Sequence, residues 1–138
     1  MIHAHSGLRW VVLFLLIAAI ITAYNNHKKG TPYSKDANKL GLFALIFTHI
    51  QLLLGLGLYF TSPFVKFEGS VMKDSLLRFY TVEHILMMII AIALITIGYS
   101  KTKKTGNWNK QFTFYLIGLI VILLAIPWPF RGLQAGWF

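Results

Sequence analysis

The side chains able to do chemistry in this 138-residue chain are few: five histidines, four acids and no cysteine. Without thiols there is no disulfide, thiolate metal site or redox thiol. The imidazoles carry what chemistry is left. His27 sits among Asn25, Asn26, Lys28 and Lys29 and reads as a solvated surface residue. His3 and His5 open the first apolar run, His49 lies inside the second, and His84, preceded by Glu83, enters the third. An ionisable residue at membrane depth is costly, so it is a functional candidate that needs a partner. Neutral imidazoles ligate metals and relay protons.

Apolar side chains make up 57% of the sequence and charged ones only 12%, about half the usual share for a soluble domain. They fall into four blocks, each near the ~20 residues a spanning helix needs. Helices are expected over residues 5–24, 37–60, 76–99 and 110–126. The fold class is therefore an all-α membrane protein, a four-transmembrane-helix up-down bundle in one domain, residues 1–138. The first block is too long for a signal-peptide core and lacks a basic lead-in and a small-residue cleavage site, so it is expected to be retained. Gly30 and Pro32 break the first connection, and Ser34 or Asp36 can cap the second helix. The connector 64–75 mixes large apolar with charged residues and is expected to lie at the headgroup level or to pack back on the bundle. Pro127-Trp128-Pro129 stops the fourth helix, and the aromatic tail after it has the composition of an interfacial belt.

The formal charge of +9 raises a nucleic-acid footprint, but its distribution argues against that partner. Lys28, Lys29, Lys35, Lys39, Lys101, Lys103, Lys104 and Lys110 gather around the connections after the first and third helices, with Asp36 the one acid there. The positive-inside rule puts these connections in the cytoplasm and both termini outside. In a bacterium this is a multi-pass inner-membrane protein with its termini on the periplasmic side.

Depth follows from the helical rise: from the cytoplasmic ends, His5 lies roughly 28 Å up, His84 roughly 22 Å and His49 roughly 15 Å. His5 and His84 share the outer region and His49 is deeper, although helix tilt leaves either pairing open. Two histidines on different helices at similar depth are what a b-type haem requires, with one imidazole on each face of the iron. Arg9, four residues after His5 and on its face, can meet a propionate near the outer surface, as can Arg78 and Arg131. Gly7, Gly55 and Gly57 remove bulk where a flat ring would approach. Glu83 or a backbone carbonyl can hold the far nitrogen of His84. Plainer roles stand beside these. His3 and His5 suit an interfacial belt. Ala44/Thr48 and Gln51/Gly55 have the spacing of close helix packing, and His49 can make an interhelical hydrogen bond, ligate in place of one of the pair, or contact a proton or quinol.

Three short motifs carry a family resemblance. His5-Ser6-Gly7-Leu8-Arg9, Gln51-Leu52-Leu53-Leu54-Gly55 and His84-Ile85-Leu86-Met87 resemble, in order, the haem-bearing half-bundle of haem A synthases and related small four-helix b-type membrane cytochromes. The resemblance implies axial ligation of haem iron by His5 and His84 on the outer side. It touches three of the four helices. This chain has one half-bundle where haem A synthase has two. Its arginine stands four positions after the histidine rather than next to it. Only Met1-Ile2-His3-Ala4 occupies the place of the family's catalytic glutamate. The resemblance therefore bears on haem binding and not on the oxidation chemistry.

The leading expectation is a haem b membrane cytochrome in electron transfer, a small subunit of a respiratory or quinol-linked complex, rather than a stand-alone enzyme. Its partners would be the lipid bilayer, other subunits of such a complex and a quinone. The alternative is a non-haem structural or accessory subunit whose histidines serve packing. A proton-conducting or transport role for His49, Gln51 and Glu83 is weaker, because paired broken helices are missing from the pattern.

Overall fold

The computed structural model describes residues 2–61 and 74–132. These form four long helices and, among the described residues, no strand. Helix α1 is Ile2–Lys29, α2 is Lys39–Thr61, α3 is Ser75–Thr105 and α4 is Trp108–Ala125. Each is long and apolar enough to cross a membrane. A 3-10 turn, Pro129–Arg131, follows α4.

The helices run further than apolarity alone predicts. α1 continues past Tyr24 through His27, Lys28 and Lys29, and α3 passes Tyr99 to take in Lys101, Lys103 and Lys104. Lysine is a good helix former, and its long stem lets the ammonium reach water while the backbone stays helical. What stops these helices is glycine. Gly30 (φ 66°) and Gly106 (φ 72°) take the left-handed conformation that closes a helix end. The connection expected over 100–109 shrinks to Gly106 and Asn107, and the Asn107 side chain caps α4 at Asn109 N, 3.0 Å. At the start of α3, Asp74 Oδ1 accepts from Leu76 N (3.0 Å) and Leu77 N (3.2 Å). The rest of the 64–75 connector and the end of the aromatic tail lie outside the described residues.

The helices pack as a ring in chain order, α1 on α2, α2 on α3, α3 on α4 and α4 back on α1. The α3–α4 seam is the most extensive and α2–α3 the thinnest. Glycines set the close seam. A Cβ on Gly98 would stand 2.5 Å from Phe114 Cβ, and one on Gly118 would stand 2.9 Å from Ile95 Cγ1 and 3.3 Å from the Ala91 carbonyl. Leu16, Ala19, Ala44, Ala91, Ile95 and Tyr115 form the sealed centre. The outer surface is apolar as well: Phe14 is 69% exposed, Leu53 68% and Leu124 62%. Helices that are apolar on all sides suit lipid outside and packed side chains inside.

Polar groups at the lysine-bearing end are paired with one another. Asn38 and Gln111, both buried, exchange two amide hydrogen bonds of 2.8 and 3.0 Å. Tyr115 donates to the Gly41 carbonyl at 2.8 Å, and Trp108 Nε1 donates to the Thr31 carbonyl at 2.8 Å. Gly41 is required here, since a Cβ would press on the Asn38 and Gln111 amides. The network ties α4 to α2 and to the first connection. Because a buried amide left unpaired costs about 1–3 kcal/mol, Gln111→Leu should lower unfolding stability in detergent by that amount. Asn38→Leu/Gln111→Leu should recover most of it. Equal losses in the single and double variants would mean that the amide pair is not the stabilising element.

Candidate functional site

At the other end of the bundle, α1 begins, α3 begins and α4 ends. There the His5 and His84 rings come together with centroids 6.3 Å apart and planes at 82°. The two residues sit on diagonally opposed helices, so the pair lies across the middle of the ring.

His84 is fixed by α4. Its Nδ1 is 2.8 Å from the Ala125 carbonyl, and a carbonyl only accepts, so Nδ1 carries the proton and Nε2 is left with its lone pair. Of the two supports expected for this nitrogen, the backbone carbonyl supplies it; Glu83 instead pairs with Arg78, Oε1 to Nε 2.6 Å. The helix just before His84 is locally widened. Residues 79–83 form a π-turn, closed by the His84 N–H on the Phe79 carbonyl. Tyr59 of α2 donates to the Thr81 carbonyl within this turn at 2.9 Å. π-Turns recur at functional sites because they re-aim the side chains that follow. Here the turn aims His84 into the bundle, and Met88 and Ala91 beyond it pack into or against the core.

His5 is held by α2. Gln51 Nε2 donates to the His5 carbonyl at 2.7 Å. Gly55 makes room for the ring, since a Cβ there would meet His5 Cε1 at 3.1 Å. His5 Nδ1 and Gln51 Oε1 are both buried without a hydrogen-bond partner among the described residues. Gly7 has a different status: a Cβ there meets nothing within 4 Å, so it clears no space for the pair.

Three arginines surround this end. Arg9 is 8% exposed, with its guanidinium 5.2 Å from the Trp10 ring and 5.6 Å from the Trp128 ring. Arg131 Nη1 donates to the Leu124 (2.8 Å) and Ile126 (2.9 Å) carbonyls and its Cζ lies 4.9 Å from the Phe79 ring. Phe79 in turn lies 5.5 Å from the His84 ring. Arg78 is joined to Glu83 as above. Phe79, Trp128 and the π-turn were not singled out in the sequence. Trp128 had a signal in the Pro-Trp-Pro stop, while the π-turn has none, since its five residues suit an α-helix equally well.

His49 is not brought to this pair. It is exposed on α2, with Nδ1 2.8 Å from the Leu45 carbonyl of its own helix. His3 is exposed at the start of α1. No cluster of three or more His, Asp or Glu side chains forms among the described residues. No protein-family model, curated protein or solved structure matches the chain.

The fit of Gly55 against the His5 ring is testable in protein without any added cofactor. Gly55→Ala should cost little, because the ring can give by a few tenths of an ångström. Gly55→Leu should destabilise by about 1–3 kcal/mol through overpacking, read by unfolding in detergent followed by circular dichroism. Wild-type stability in Gly55→Leu would show that the ring does not rest on α2.

Proposed function

We propose that the chain is a membrane cytochrome that holds a haem b between His5 and His84 and takes part in electron transfer. The observation that carries this reading is the ring pair. A metal bonded to two imidazole nitrogens at about 2.0–2.1 Å, each nitrogen about 1.1 Å from its ring centre, needs centroids about 6 Å apart. The observed separation is 6.3 Å. The 82° angle between planes is compatible with ligation, since ligation would set where each nitrogen points and not the angle between the two rings.

The surroundings support the same reading. His84 has the tautomer a ligand needs, with Nδ1–H on a carbonyl and Nε2 available. His5 Nδ1 and Gln51 Oε1 are both buried without a hydrogen-bond partner among the described residues, and this amide oxygen is an acceptor of the kind that could orient His5 as Ala125 orients His84. Arg9 and Arg131 place positive charge at the same end, suited to the propionates of the macrocycle. A haem bound there supplies one-electron chemistry. The chain's part is to ligate it, fix the imidazole orientations, neutralise its carboxylates and keep water from its faces. With the lysine-bearing end in the cytoplasm, the site belongs to the outer half of a bacterial inner membrane, where quinol-linked or respiratory subunits exchange electrons.

Protein expressed with ample haem supply and purified in detergent should show a Soret band and a sharp α band on dithionite reduction. His5→Ala and His84→Ala should each lose at least nine-tenths of the haem, while His49→Ala keeps it. A colourless wild-type protein, or full haem in both His5→Ala and His84→Ala, would sink the assignment.

A further inference from the structure

The π-turn at the start of α3 does more than widen the helix. Two side-chain pairs in it are five residues apart. Arg78 Nε donates to Glu83 Oε1 at 2.6 Å, and the Phe79 ring lies 5.5 Å from the His84 ring. In an α-helix, residues five apart stand about 140° from each other around the axis, so neither pair could form. Both need the closure that the His84 N–H makes on the Phe79 carbonyl. Were the turn to close to α geometry with the start of α3 in place, every residue after it would rotate by about 100°, one residue's worth. His84 would then leave both Ala125 and His5.

Such a turn interrupts the i→i−4 ladder, and carbonyls in it are satisfied from outside the helix. α4 holds the turn from one side, through Ala125 on His84 and Arg131 over the buried Phe79. α2 holds it from the other, where Tyr59 donates to the Thr81 carbonyl inside the turn at 2.9 Å. This bond crosses the thinnest seam of the ring. Tyr59 is also in register with the bed of His5: Gln51, Gly55 and Tyr59 are four apart and share one face of α2. Gln51 and Gly55 seat the ring of α1, and Tyr59 reaches the turn that aims the ring of α3.

We infer that Tyr59 is a positioning residue of the His5–His84 site, and that one face of α2 sets the spacing of two rings it does not itself supply. Gln51 and Gly55 fix where His5 stands. Tyr59, by holding the π-turn, fixes the direction from which His84 meets it. This role deepens the haem-binding reading, and only the spectroscopic arm of its test rests on that reading. A packing role for Tyr59 is distinct, since the aromatic ring would then suffice and the hydroxyl would be dispensable.

The test uses the whole chain in phospholipid nanodiscs as wild type, Tyr59→Phe and Tyr24→Phe, the last losing a hydroxyl at the other end of the bundle. Without haem, Tyr59→Phe should speed amide exchange at His84 at least tenfold. It should also move the His84 ring resonances of 15N-histidine-labelled protein, assigned by their loss in His84→Gln. The His49 ring and the amides along α1 should stay as in wild type, and Tyr24→Phe should leave His84 unmoved. Unchanged His84 exchange and ring resonances in Tyr59→Phe would overturn the proposal, as would an equal rise in exchange along all four helices, the mark of general packing. With haem, Tyr59→Phe should keep the cofactor but shift the low-field g value of the ferric low-spin resonance, which reports how the two imidazole planes stand. A retained haem with an unmoved g value would overturn it too. A colourless wild type defeats the haem reading, and the haem-free arm then decides the role of Tyr59 by itself.

Discussion

The C-terminal end of α4 is a run of carbonyls that no helix can satisfy, and the end of the molecule that holds His5 and His84 is built around that need. Pro127 has no N–H and ends the helix, leaving the last carbonyls orphaned. Side chains take them in order. Trp128 Nε1 donates to Leu123 at 3.0 Å, Arg131 to Leu124 and Ile126, and His84 to Ala125. Ala125 and Ile126 are buried, and a buried carbonyl left unpaired costs about 1–3 kcal/mol, so their two bonds are the enforced part of the cap. It fixes the α3–α4 register, holds Arg131 over Phe79 and sets the His84 tautomer.

The cap gives His84 two roles that do not compete. As a donor it closes α4 with Nδ1, and as a base it keeps Nε2 for whatever meets it. An accessory-subunit reading would need only the first role. The second depends on His5, which comes from the diagonal helix and is placed by Gln51 and Gly55 of α2. All four helices thus contribute to one spot: α1 and α3 the rings, α2 the bed for one ring and α4 the anchor for the other. The opposite end is organised differently. Its two amides pair with each other, its tyrosine and indole donate to backbone carbonyls, and the network holds the helices together.

Much of this could be read from the residues alone. Four apolar blocks of spanning length, the Gly30 break after α1, the proline that closes α4 and the placement of His5 and His84 toward the same end of the bundle follow from composition, helical rise and turn chemistry. Helix ends were less legible where lysines follow an apolar run, because lysine serves helix and loop equally and the true stop is the glycine beyond it. The π-turn was not legible, since one inserted residue leaves no pattern. Neither was the direction of His49, because a helix that is apolar on every side has no moment to say which face turns inward.

What the sequence determined by itself is the class of structure, since in the absence of water a long apolar run must satisfy its backbone within a helix, and four such runs joined by short connections must form a bundle. Which helix lies beside which, that His84 donates to Ala125, that Gly55 receives the His5 ring and that the two imidazoles stand 6.3 Å apart were decided by the tertiary structure. Those facts rest on side-chain contacts between helices 41 to 79 residues apart in sequence. Helical period fixes the spacing of residues along one face, but only packing chooses the face it meets.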